Sequence, residues 1–178
     1  MNSMSKGHYE DEKVCCNKKS KENEVLLKCK AGNPVIVTVG TAVTTNTVGS
    51  LILNTEKFSN PCIKFEFASN IVTTLFPGTP VIINFQIFKQ CKCDLTPTAF
   101  GPVWVYTRLS TLADTFADTF TFFVCDCDCD SNTCKDNCCT YTVVATTPAV
   151  GVGVAGGIAS INNPVFSATV VERNSHCC

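Results

Sequence analysis

Cys62-Ile63-Lys64-Phe65-Glu66-Phe67-Ala68 sets three large apolar side chains against a lysine and a glutamate in strict alternation. Successive side chains of an extended strand point to opposite faces, so Ile63, Phe65 and Phe67 share one buried face while Lys64 and Glu66 meet water. Phe120, Phe122 and Val124 repeat the arrangement. Working outward, runs rich in Val, Ile, Phe and Thr predict strands at Val25–Lys30, Val35–Val39, Val43–Asn54, Cys62–Ala68, Val81–Lys89, Val103–Arg108, Thr119–Cys125, Cys138–Ala145, Gly151–Ile161 and Phe166–Glu172. Gly, Pro, Asn and Asp separate them, as in an all-β sandwich or barrel, and no helical period competes. Asn60-Pro61, Pro77-Gly78-Thr79-Pro80, Gly101-Pro102 and Asn163-Pro164 read as turns, because proline presets φ and glycine tolerates φ above zero. Thr111–Phe116 reads equally as a short helical turn or a loop. The expected fold is all-β, a single jelly-roll-like β-sandwich, the two-sheet form that suits this many strands.

The boundaries follow composition. Residues 1–23 alternate Lys, Glu, Asp, Asn and Ser with little apolar content beyond Val14, an extended tail with no core face. Residues 24–173 form the sandwich, and 174–178 a short tail ending in Cys177-Cys178.

A chain of 178 residues buries about 70% of its unfolded surface and folds without covalent staples. Its 14 cysteines therefore point to durability or to links between chains. Charged residues make up only 16%, well below the usual quarter, which favours self-association. A net charge of -1 and a pI near 6.1 give no basic field for nucleic acid. Met1–Lys13 lacks a secretory apolar region, and no apolar run approaches the length of a membrane span. Synthesis in a cytoplasm without a signal peptide is expected. A reducing cytoplasm does not normally hold disulfides, so the thiols bind metal, stay free, or belong to a protein exposed when its cell lyses, the route of spore surface proteins.

Gly151, Gly153 and Gly156 spell a dinucleotide fingerprint, but strand-forming neighbours and a position near the C-terminus deny it a βαβ unit. Asp126, Asp128 and Asp130 have calcium-loop spacing, yet Ser131 stands where glycine is needed and Asn137 where a bidentate glutamate is needed. Solvated charge on a thiol-rich loop is the plainer reading. Cys125, Cys127, Cys129, Cys134, Cys138 and Cys139, with Cys62, Cys91 and Cys93, are disulfide candidates. Zinc or copper is the competing reading, weakened by C-x-C rather than C-x₂-C spacing. Pairing is not legible, since six cysteines alone allow about 15 connectivities. His8 and His176 both lie in tails, where nothing positions a general base, so no enzyme, cofactor or resident metal is expected. Trp104 and Tyr106 share one strand face as a core or interface anchor, or as a ligand platform.

Val14-Cys15-Cys16, followed after twelve residues by Cys29 at the edge of the β body, resembles the N-terminal connector of endospore appendage pilins. The resemblance implies a jelly-roll subunit that stacks sideways by β-augmentation and docks its connector on earlier subunits through disulfides. It makes Cys15 and Cys16 the reaching thiols and Cys29 a receiving one. Adjacent residues of an extended segment point in opposite directions, so one doublet can bond two neighbours. The longer charged tail, the larger body, the Cys125–Cys139 cluster and Cys177-Cys178 depart from that pattern. Cys177 and Cys178 are further inter-subunit candidates. The expected function is a self-assembling, disulfide-crosslinked fibre subunit on the spore surface, made in the mother-cell cytoplasm. Its partners are copies of itself and other spore-coat or tip proteins. A thiolate metal-binding coat protein and an adhesive carbohydrate-binding sandwich are the alternatives.

Overall fold

A computed structural model describes residues 25–78, 80–109, 111–127, 138–149 and 157–172. They form nine strands: β1 (Val25–Ala31), β2 (Val35–Thr38), β3 (Thr44–Asn54), β4 (Pro61–Leu75), β5 (Val81–Cys91), β6 (Thr98–Arg108), β7 (Asp114–Asp126), β8 (Cys138–Thr147) and β9 (Ile158–Glu172). One sheet has the order β1-β9-β4-β7, with β2 continuing the β1 edge along the other half of β9. The other has the order β3-β8-β5-β6. Every pairing is antiparallel. The chain changes sheet at each step from β2 to β9 except between β5 and β6, which is the winding of a jelly roll.

The alternation that predicts the fold also fills its core. Ile63, Phe65 and Phe67 are buried while Lys64 and Glu66 are exposed. Phe166, Phe67 and Phe122 stand side by side across β9, β4 and β7. Phe65 stacks on Phe166 with centroids 5.6 Å apart, Phe67 on Phe122 at 5.1 Å, and Phe85 on Phe120 at 4.7 Å. The first two pairs lie within the first sheet and the third joins the two layers, and such aromatic pairs add to the area they bury.

Two expected turns are bulges inside long strands. Gly101-Pro102 lies within β6, where Gly101 has φ of 71° and the β5–β6 register shifts between Phe85 and Ile87. Gln86 Nε2 donates to the carbonyls of Phe100 (2.8 Å) and Gly101 (3.2 Å), satisfying acceptors at the irregularity. Asn163-Pro164 lies within β9, where Asn163 has φ of 48° and the register with β4 shifts between Ala68 and Asn70. A central strand tolerates proline only at such a bulge. The edge strand breaks beside it: the Gly32 N–H donates to the Pro164 carbonyl at 2.7 Å, between β1 and β2. A side chain at Gly32 would strike the Val48 carbonyl oxygen, so glycine is required there by packing. Residues 111–113 form a bend and β7 begins at Asp114, so the predicted helical turn or loop over Thr111–Phe116 gives way to strand. Ile158–Ile161 and Phe166–Glu172, read as parts of two strands, belong to one; Gly151, Gly153 and Gly156 lie outside the described residues.

Candidate functional site

One end of the sandwich collects most of the described cysteines. In the first sheet, β1 starts at Val25 opposite Val171 of β9, β4 starts at Pro61 opposite Glu172, and β7 ends at Asp126 opposite Ile63. In the second, β3 ends at Asn54 opposite Cys138, and β5 ends at Cys91 opposite Cys139. Both chain tails join the body at this end, since residue 24 precedes β1 and residue 173 follows β9. The Ser59 N–H donates to the Glu172 carboxylate at 3.3 Å, tying the β3–β4 turn to the end of β9.

Two disulfides between described residues close this end, each within a sheet. Cys62 bonds Cys127 and Cys91 bonds Cys139. Both join cross-strand neighbours: Cys91 directly faces Cys139, and Cys62 follows the register that sets Ile63 against Asp126. Cys93, in the turn after β5, is also disulfide-bonded. Cys29, Cys125 and Cys138 are thiols, the first two exposed and the third half-buried. Cys15, Cys16, Cys129, Cys134, Cys177 and Cys178 lie outside the described residues.

The sheets are joined at this end by a polar group that sequence reading misplaces. Asp126 is no solvated loop carboxylate: it is 8% exposed, because it ends β7 on the inward face. Lys89 of β5 donates to its Oδ2 at 2.8 Å, and the Tyr141 hydroxyl of β8 donates to the same oxygen at 3.0 Å. Burial, then the Asp126 charge and hydrogen bond, push the Tyr141 hydroxyl well above the usual tyrosine range. Lys89 also lies over the Tyr141 and Phe100 rings, 5.7 and 6.0 Å from their centroids. Asp128 and Asp130 lie outside the described residues. Among the described residues no three His, Cys, Asp or Glu side chains converge as a metal site, and no helix is long and apolar enough to cross a membrane.

Trp104 stacks on Phe122, with centroids 4.1 Å apart and planes 12° from parallel. Tyr106 is buried and donates to Asp118 at 2.7 Å. Burial, followed by that hydrogen bond, raises its pKa to about 12. The pair therefore packs against the core.

The sheet edges complete the picture. β1 and β7 are the two ends of the first sheet's strand order. The outward row of β7 is Thr115, Ala117, Thr119, Thr121, Phe123 and Cys125, all exposed and uncharged. The outward row of β1 is Val25, Leu27, Cys29 and Ala31, also exposed and uncharged. Phe123, Leu27 and Val25 are 67%, 69% and 61% exposed. Periodicity marks these residues as strand but says nothing of which strands lie at an edge.

Comparison with family models places residues 23–171 in the family described as "Domain of unknown function (DUF4489)", and the chain belongs to it. A comparison with curated proteins finds no match. Among solved structures the chain is similar to that of the infectious bursal disease virus Gx strain, at 12% identity and a TM-score of 0.40, covering 97% of this chain and 43% of that one. It is also similar to a family 11 carbohydrate-binding module from Clostridium thermocellum in complex with a mixed-linked tetrasaccharide. That match has 13% identity and a TM-score of 0.30, over 84% of this chain and 91% of the module. The chain thus spans less than half of the viral chain it matches.

Proposed function

We propose that this DUF4489-family chain is the structural subunit of a self-assembling, disulfide-crosslinked extracellular fibre of the spore-appendage kind, joined laterally by strand pairing and longitudinally by tail disulfides. The observation that supports it most is the β7 edge: thirteen residues long, paired on one side to β4, with an outward row free of charge and proline. Soluble proteins blunt such edges with charge, proline or bulges. A bare one is a site for adding a strand from another chain.

Covalency completes the reading. Cys15 and Cys16 precede β1 in the sequence and Cys177 and Cys178 follow β9, and β1 starts and β9 ends at the cysteine-rich end. By resemblance Cys15 and Cys16 reach to earlier subunits and bond cysteines there. A non-covalent contact at nanomolar strength, about -12 kcal/mol, still lets a subunit exchange, whereas a disulfide must be chemically attacked before it leaves.

The test is electron microscopy of the full chain assembled without reductant, alongside the Cys15→Ser/Cys16→Ser variant. Parent fibres surviving hot detergent until reductant is added, and variant fibres falling apart in detergent alone, are expected. Dispersed globules from the parent, or variant fibres as resistant as the parent, would refute the reading.

A further inference from the structure

The first sheet carries an exposed thiol at each of its two edges, on the same face. Cys29 of β1 pairs with Ser167 of β9, Ser167 with Glu66 of β4, and Glu66 with Phe123 of β7. Leu27, Thr169, Lys64 and Cys125 form the next outward row. Within one chain the two thiols stand three strand spacings and two residues apart, about 16 Å, too far for a disulfide, which needs Cα atoms within about 7 Å. If they bond each other, they bond between copies.

Strand direction favours that arrangement. The sheet is antiparallel throughout with β1 and β7 at its ends, so β1 and β7 run in opposite directions. A second copy shifted sideways lays its β1 antiparallel against β7 and continues the ladder. The outward rows that meet, Leu27, Cys29 and Ala31 on β1 and Phe123 and Cys125 on β7, carry no charge, so no like charges oppose the pairing.

We propose that copies of this chain join β7 to β1 edge to edge, in the register that sets Cys125 of one opposite Cys29 of the next, and that these two thiols close a lateral disulfide. This rests on the fibre reading, specifies its side-by-side contact, and gives Cys29 to that contact in place of the receiving role that the resemblance implies, so the tail thiols bond other cysteines. The oxidant is a low-molecular-weight disulfide. The Cys125 thiolate attacks it, forming a mixed disulfide and releasing one small thiol. The Cys29 thiolate of the neighbour then attacks the Cys125 sulfur and releases the second. Two protein thiols lose two electrons and two protons, and one small disulfide becomes two thiols.

The register has a consequence for the assembly. A pure sideways shift sets Cys125 beside Leu27 of the neighbour, so facing Cys29 requires a slip of two residues, about 6.8 Å along the strands. A contact between two different surfaces that climbs at every step cannot close into a flat ring and propagates as an open helical filament.

The experiment uses the full chain, assembled from an equal mixture of unlabelled and nitrogen-15-labelled protein, with free thiols blocked before digestion without reductant. Peptides joining Cys29 to Cys125 in mixed-isotope pairs are expected. Cys125→Ser, at an exposed position, is expected to keep the fold and to yield fibres whose lateral contacts dissociate in hot detergent. Intact parent fibres in which Cys29 is bonded to Cys15 or Cys16, or in which Cys29 and Cys125 are both blocked as thiols, would overturn this inference and leave the fibre reading standing. A parent that forms no fibres overturns both.

Discussion

Replacing Lys89 with Met removes one of the two donors that Asp126 has at the seam between the sheets. Asp126 is 8% exposed and has no route to bulk water comparable to that of Lys89, which is 32% exposed. Removing the lysine strands a buried carboxylate with the Tyr141 hydroxyl alone, and breaking a buried pair in this way costs about 3–5 kcal/mol. The partial exposure of Lys89 sets the expectation at about 3 kcal/mol, the lower end of that range. In a domain of this size that lowers Tm by about 6–12 °C. Asp126→Asn is the asymmetric partner: it removes the charge, keeps an amide oxygen as acceptor, and leaves Lys89 free to turn to solvent, at a cost of about 1–2 kcal/mol. The double variant should cost little more than Asp126→Asn, since the charge that made Lys89 necessary is gone. Thermal and denaturant unfolding of the parent, both single variants and the double, with disulfides intact, closes the cycle. A loss under about 1 kcal/mol for Lys89→Met would refute the argument, because it would mean that the Asp126 carboxylate is hydrated.

Replacing both Cys91 and Cys139 with Ala opens a bridge that spans 48 residues, and loss of its constraint on the unfolded chain should cost about 4 kcal/mol in denaturant unfolding; a loss under about 1 kcal/mol would show that the bridge does not constrain folding. Phe65→Ala, at a fully buried ring, should cost about 3–5 kcal/mol, and Phe120→Ala, at a half-buried ring, distinctly less; equal losses in the same assay would contradict the packing described. The raised pKa values of Tyr106 and Tyr141 favour the protonated hydroxyl in the folded state. Their contribution is therefore complete below about pH 10, the ordinary tyrosine value. It is lost as pH rises through about 12 for Tyr106, with Tyr141 extending the loss to higher pH. Ultraviolet titration should show tyrosinate from these two residues appearing together with unfolding, and ordinary ionisation at pH 10 with the fold intact would refute the assignment.

The fold was legible because its signal is local. Ile63, Phe65 and Phe67 face the core whatever strands lie beside them, since period-two alternation needs only one buried face. The bulges escape sequence reading for an equally physical reason. Gly101-Pro102 and Asn163-Pro164 have turn chemistry, and only the neighbouring strand reveals whether such a dipeptide ends a strand or kinks it. The candidate site depends on longer-range information still. Cys125 and Cys127 are alike in spacing, and only the partner strand separates them: Cys125 faces Lys64, whereas the register carried one residue past Asp126 brings Cys127 to Cys62. Asp126 is buried by Lys89 and Tyr141, 37 residues before it and 15 after, a neighbourhood that no spacing rule contains. Cys29 and Cys125 become comparable only once strand order places β1 and β7 at opposite edges. That order also separates the thiols by task. Cys91–Cys139 joins two positions that the ladder already pairs, and Cys62–Cys127 extends the β4–β7 register one residue past its end; both serve the single chain, whereas Cys29 and Cys125 sit on edge strands, which have hydrogen bonds left to make.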